Sequence, residues 1–245
     1  MQTLRTLAAA LALGAAITTG FTTAAAAPVT VFETNFDGAL PAEFAPGTAT
    51  LTGVQGYAGL GPAGNQFGGT FLRSATANLV TLNLSGLPAH DTITLEFLFA
   101  AIDSLDGTGT FPAGDFFKIV FDGATLFSES FANALSTQIQ SYVPPPGVEL
   151  ARRVDLGFSG PGGFFTDSAY NLGADPRFAN FAHTSATAKI DFFMFGEGLQ
   201  SLDDESWAMD NLRVGVTTLG NQVPEPSPLA LLVGGLGALL AAKRR

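Results

Sequence analysis

The chain has 245 residues, with 21 acidic against 11 basic side chains, two histidines and no cysteine. That balance excludes nucleic acid as a partner, because phosphate binding rests on Lys and Arg, and the missing cysteine excludes disulfides and thiol chemistry. Phenylalanine occurs 22 times and only 13% of residues are charged, which is the content of a folded core and not of a disordered chain.

The chain opens "MQTLRTLAAALALGAAITTGFTTAAAAP". Arg5 supplies a positive start, Leu7 to Ile17 an apolar stretch, and Ala24 to Ala27 the small residues that a signal peptidase reads. Residues 1–27 are therefore expected to be a removed signal peptide, and residues 28–222 one body domain. Within that body 20 acidic residues face 7 basic ones, an imbalance that suits bound cations.

The body then reads as a series of strands. "VTVFETNFDG" and "NLVTLNLSG" come first. In "DTITLEFLFA" the residues Ile93, Leu95, Phe97 and Phe99 share one face, with Thr92, Thr94 and Glu96 on the other. "DFFKIVFDGATLF" holds two strands joined at Asp122-Gly123, a hairpin signal. "ESFANALSTQIQSY" offers a helical turn at most. "ATAKIDFFMFG" sets Ile190, Phe192 and Met194 against Phe193 and Phe195, and "SWAMDNLRVGV" is the last strand. Longer loops are expected around 108–114 and 158–175. No helical stripe and no internal repeat is present, so the pattern predicts an all-β, jelly-roll-type β-sandwich. Its phenylalanines fill the space between two sheets. Trp207, alternating with Met209, is expected to pack in the core or at its rim.

Two acidic stretches carry the candidate chemistry. "AIDSLDGTGTFPAGDFF" holds Asp103, Asp106 and Asp115 around a glycine-rich loop, and "SLDDESWAMDN" holds Asp203, Asp204, Glu205 and Asp210. Carboxylates on bendable loops between strands are what calcium needs, six to eight hard oxygens on a backbone that adapts. Asp before Gly is also ordinary turn chemistry, and acids in a loop are also a solvated surface. The two stretches resemble parts of secreted calcium-bound β-sandwich domains, in which an "IDSxDG" loop follows a strand and "DDESWxxDN" opens the last one. Leu105 stands where an aromatic is expected. The acidic stretches make Asp103, Asp106, Asp115, Asp204 and Asp210 candidate metal ligands; the resemblance implies a structural calcium ion with Asp103, Asp204 and Asp210 foremost, and Glu33 and Asp37 as residues to complete a site. No nucleophile elbow, zinc motif or phosphate loop occurs, and His90 and His183 are each expected to lie exposed in a polar loop.

The chain closes "VPEPSPLALLVGGLGALLAAKRR". Leu229 to Ala242 is an uncharged run of 14 residues. At about 1.5 Å per residue it spans roughly 21 Å, short of a hydrocarbon layer of about 30 Å. Lys243, Arg244 and Arg245 follow as a basic end that stays in the cytoplasm. The order Val223, Pro224, Glu225, Pro226, apolar helix, basic end resembles the PEP-CTERM sorting tail. That resemblance covers 223–245 and implies a Gram-negative bacterium, a transient inner-membrane stage, processing by an exosortase-type enzyme, and release to the cell surface or an exopolysaccharide matrix. The expectation is an exported, non-enzymatic matrix or biofilm protein. Three uses of its body stand open: association with matrix polysaccharide, a structural or adhesive role without glycan binding, and glycan hydrolysis.

Overall fold

The structure, a computed structural model, describes residues 27–108, 114–159 and 165–218. The expected signal peptide, save Ala27, and the whole sorting tail lie outside the described residues. Among those residues, no helix is long and apolar enough to cross a membrane.

Among the described residues thirteen strands follow one another: β1 Val29–Thr34, β2 Phe44–Ala45, β3 Thr50–Gly53, β4 Thr70–Ala75, β5 Val80–Ser85, β6 Thr92–Asp103, β7 Phe116–Phe121, β8 Ala124–Ser130, β9 Glu149–Val154, β10 Asp167–Asn171, β11 Phe181–Ala182, β12 Thr187–Phe195 and β13 Glu205–Thr217. The only helical pieces among the described residues are three-residue 3-10 turns, such as Gln55–Tyr57. One sheet runs β3-β4-β13-β6-β10-β9, with β1 also on β13 and β11 also on β6; the other runs β2-β5-β12-β7-β8. Every pairing is antiparallel. The chain is an all-β sandwich.

The pattern of the sequence explains the pairing. Asp122 and Gly123 both take positive φ (47° and 86°), the backbone a two-residue hairpin loop requires, and they join β7 to β8. β13 is the longest strand and pairs with β6 along most of its length. On its other edge, Ser206–Met209 meet β4 and Leu212–Val216 meet β1. A bulge between Asp210 and Arg213, with Asn211 at φ 49°, marks the change of neighbour. The first and last strands of the body thus lie side by side.

The core forms between the sheets. Ile93, Leu95, Phe97 and Phe99 of β6 point in together with Trp207 and Met209 of β13, against Phe117 and Ile119 of β7 and Ile190, Phe192 and Met194 of β12. Phe97 meets the Phe192 ring edge-on, with centroids 6.1 Å apart, and Phe117 lies 5.1 Å from Trp207. Trp207 is fully buried, so it packs in the core and offers no face to a ligand. The second half of β6 departs from simple alternation. Leu98, Ala100 and Ile102 are buried as well, beneath Val54, Tyr57, Phe67 and Phe71. The segment between β3 and β4 folds over the outer face of the sheet there, and the Tyr57 hydroxyl donates to the Ala101 carbonyl at 3.1 Å. Leu105, too, is a core residue.

Candidate metal centre and surface groove

The loop after β6 turns sharply because Asp103 takes φ 62°. It then runs back against the start of β7. The Asp106 amide donates to Asp115 Oδ2 at 2.6 Å, and the Asp115 amide donates to the Asp106 carbonyl at 2.9 Å. Gln138 steadies the turn from a third segment, its Nε2 donating to Asp106 Oδ1 at 2.6 Å and its Oε1 accepting from the Gly107 amide at 3.0 Å. Only glycine fits at 107, since a Cβ there would lie 2.7 Å from the Ile139 carbonyl oxygen. Glu205 reaches the same place from the first residue of β13, its oxygens accepting from the amide and side chain of Gln200 at 2.8 and 2.9 Å.

One carboxylate oxygen each from Asp106, Asp115 and Glu205 lie within 4.8 Å of one another, and all three residues are buried. No Lys or Arg pairs with any of them among the described residues. Burial pushes the Asp115 carboxyl up to about 6. Burial, with the charge of Asp115 added, pushes Glu205 up to about 7. Three hard oxygen donors without a protein cation form a cluster that could hold a metal ion, and oxygen-only donors suit calcium or magnesium better than zinc or copper.

The other acidic residues singled out from the sequence go elsewhere. Asp103 faces Arg73, whose Nη2 stands 3.9 Å from its Oδ2, and neither Asp103 oxygen accepts a hydrogen bond. Its amide donates to Asp167 Oδ1 at 3.0 Å, and Asp167 Oδ2 accepts from the Leu156 amide at 2.8 Å. Burial raises Asp103 to about 7 and Asp167 to about 6, and burial lowers Arg73. Asp204 turns to Ser104, whose hydroxyl lies 2.8 Å from its carbonyl and 3.1 Å from its Oδ1. Asp210 accepts from the Gly68 amide at 3.1 Å and is raised to about 7 by burial. It stands five residues along β13 from Glu205, roughly 17 Å at about 3.4 Å per residue. Asp37 accepts from the Thr70 amide at 2.8 Å.

Glu205 was the residue that the spacing of aspartates passed over, although the signal for it was present. With period two, Glu205 shares the inward face of β13 with Trp207 and Met209, whereas Asp203 and Asp204 precede the strand.

Glu33 belongs to a second feature, a polar groove of about 560 Å³ on the outside of β1, β13 and β6, whose lining includes Glu33, Asn35, Asn65, Glu96, Asn211 and Arg213. Arg213 lies across from both Glu33 and Glu96 in the strand register. Its Nε is 3.6 Å from Glu33 Oε2, and its Nη1 is 3.8 Å from Glu96 Oε2.

The histidines also depart from expectation. Their side chains are buried and stacked, with ring centroids 4.9 Å apart and His90 Nε2 2.6 Å from His183 Nδ1. His183 Nε2 lies 3.2 Å from Asp122 Oδ2, close enough to attract but not aligned as a hydrogen bond. The two loops meet because β11 pairs with the start of β6, a contact invisible in either loop alone.

No protein-family model matches the chain. Comparison with curated proteins finds no match either. Among solved structures, the chain is similar to a cycloisomaltooligosaccharide glucanotransferase of Paenibacillus sp. complexed with cycloisomaltoheptaose (12% identity, TM-score 0.32, 68% of this chain and 16% of that one). It is similar to the CBM22-1–GH10 modules of a Clostridium thermocellum endo-1,4-beta-D-xylanase complexed with xylohexaose (11%, 0.32, 80% and 30%). It is also similar to SGBP-B from a xyloglucan utilization locus of Bacteroides uniformis (14%, 0.25, 70% and 45%). The chain spans less than half the length of these three.

Proposed function

We propose that the chain is an exported, non-enzymatic β-sandwich protein of the cell surface or extracellular matrix, associating with carbohydrate through the groove on β1, β13 and β6. The groove carries the reading. Its amides, carboxylates and guanidinium are the groups that hydrogen-bond to sugar hydroxyls, and Glu33, Glu96 and Arg213 are set on paired strands. A glycosidase needs two carboxylates flanking an open gap. Here Arg213 stands between Glu33 and Glu96, so the arrangement favours binding over cleavage.

A structural calcium ion at Asp106, Asp115 and Glu205 fits an exported domain that has no disulfide, because a bound ion replaces repulsion among buried carboxylates with attraction. The resemblances at the two ends supply the destination: signal peptidase in front, and an exosortase-type enzyme at Pro224-Glu225-Pro226 behind. The test is affinity electrophoresis of the protein through gels containing extracted matrix polysaccharide. Retardation that an Arg213→Ala variant loses, with its unfolding unchanged, supports the reading. Equal mobility with and without polysaccharide sinks it and leaves a structural matrix protein. Release of reducing sugar from the same polysaccharide would overturn the non-enzymatic part.

A further inference from the structure

The outer face of the second sheet carries a cluster of aromatic side chains. Phe116 and Lys118 of β7 and Phe193 and Phe195 of β12 all point away from the core, alternating with buried neighbours. The register sets Phe116 directly opposite Phe195, and Lys118 opposite Phe193. The Phe116 and Phe195 rings stack with centroids 5.5 Å apart and planes 25° from parallel, and Phe193 lies 6.3 Å from Phe195. Phe195 is 41% exposed, the only aromatic among the exposed large hydrophobic residues described. Lys118 Nζ sits 5.5 Å from the Phe195 ring and 5.9 Å from that of Phe193.

The lysine narrows the choice of partner. Arg73, Arg177, Lys189 and Arg213 each face a carboxylate, in a body where acids outnumber bases almost threefold. Lys118 has no carboxylate partner among the described residues. A purely apolar partner would bury its ammonium unpaired, at a high desolvation cost. A second copy meeting through the same patch would bring a second Lys118 to the interface, because a twofold contact is self-complementary. Nucleic acid needs many cations, and this face offers one held against rings. An acidic sugar satisfies both halves of the patch. Its C–H face lies on the phenyl rings, and its carboxylate takes the ammonium.

We propose that Phe116, Phe193, Phe195 and Lys118 form a second binding face, specific for uronic acid units of a polysaccharide. The inference rests on the carbohydrate reading of the chain but not on the Arg213 groove. Binding of the full-length protein to polygalacturonate and to a neutral galactan is measured by isothermal titration, with Phe195→Ala, Lys118→Met and Arg213→Ala variants. All three substitutions sit at exposed or half-exposed positions, and circular dichroism confirms that each variant is folded. The expected result is binding to polygalacturonate that Phe195→Ala and Lys118→Met each weaken at least tenfold, while Arg213→Ala reports separately on the groove. Polygalacturonate binding that survives Lys118→Met overturns the proposal, and so does equal affinity for the neutral galactan. Failure of polygalacturonate binding while matrix polysaccharide is still held through Arg213 also overturns it, and leaves the groove reading intact. A dimer in gel filtration that Phe195→Ala dissociates would assign the patch to a second copy instead.

Discussion

Asp103 ends β6 and Asp106 stands three residues on, in the loop that follows; both are buried, but the surroundings answer their charges differently. Around Asp103 the fold supplies its own cation. Arg73 crosses from β4, anchored by Ser206 Oγ at 3.0 Å and the Leu202 carbonyl at 2.7 Å, with its guanidinium 4.5 Å above the Phe158 ring. Around Asp106 no cation comes, and Asp115 and Glu205 add two more carboxylates. An acidic cluster that contains its counter-charge is a structural pair. One that lacks it holds protons or takes an ion, and pH decides which.

The sharpest way to break that comparison is to take the cation from the first site. Arg73→Met leaves Asp103 buried and unpaired, and removing one partner of a buried pair costs about 3–5 kcal/mol. Urea unfolding at pH 8 is expected to show that loss, with the response to calcium retained. The second site is probed by chelation. An ion held only by the folded chain contributes about 2.7 kcal/mol at a hundredfold excess over its Kd. The unfolding midpoint is expected to drop when chelator replaces calcium, and an Asp115→Asn, Glu205→Gln double variant should show no drop. If chelator has no effect on the wild type, the cluster is protonated and structural.

A third effect has the opposite sign. In chelator, Asp115→Asn removes one of three crowded charges but keeps an oxygen for the Asp106 amide. Burial raises Asp115 from 3.8 to about 6 in the folded chain, so between those values the folded state holds a proton that the unfolded state has released. Wild-type stability therefore falls as pH rises through that window. The variant escapes the loss. It is expected to gain on the wild type from pH 4 through pH 6, by roughly 2–3 kcal/mol in all for a rise from 3.8 to about 6. A tenfold change in proton affinity is worth about 1.4 kcal/mol, and the buried amide keeps part of the desolvation cost. A constant difference across that pH range would remove Asp115 as the titrating group. The smallest effect belongs to Asp204→Ala, which gives up contact with the Ser104 hydroxyl for about 0.5–1.5 kcal/mol. It is expected to leave the calcium response unchanged, and a lost response would return Asp204 to the ligand set.

Much of the fold was legible because strands and turns are written locally. The alternation of Ile190, Phe192 and Met194 with Phe193 and Phe195 needs only period two to assign faces, and it holds. Asp122-Gly123 needs only two residues to specify its turn. The double burial of β6 beyond Phe97 was not legible, because the residues that cover its outer face come from 54–71 and from Phe158. The acidic site was half legible. Asp106 and Asp115 share one loop and pack together, but Gln138 and Glu205 enter from segments far along the chain. The histidine pair was invisible for the same reason, its partners standing 93 positions apart.

The sequence alone determined that this is a β protein, where seven of its described strands run, which phenylalanines turn inward, and that two stretches cluster acids. These follow from side-chain alternation and turn chemistry, which act over a few residues. The pattern in 158–175 read as loop, where the structure places β10. Tertiary structure decided which acids share a site, which of them receives Arg73, and that Lys118 lies among exposed phenyl rings. Those outcomes depend on strand register, and register is set by the burial of one whole sheet face against another.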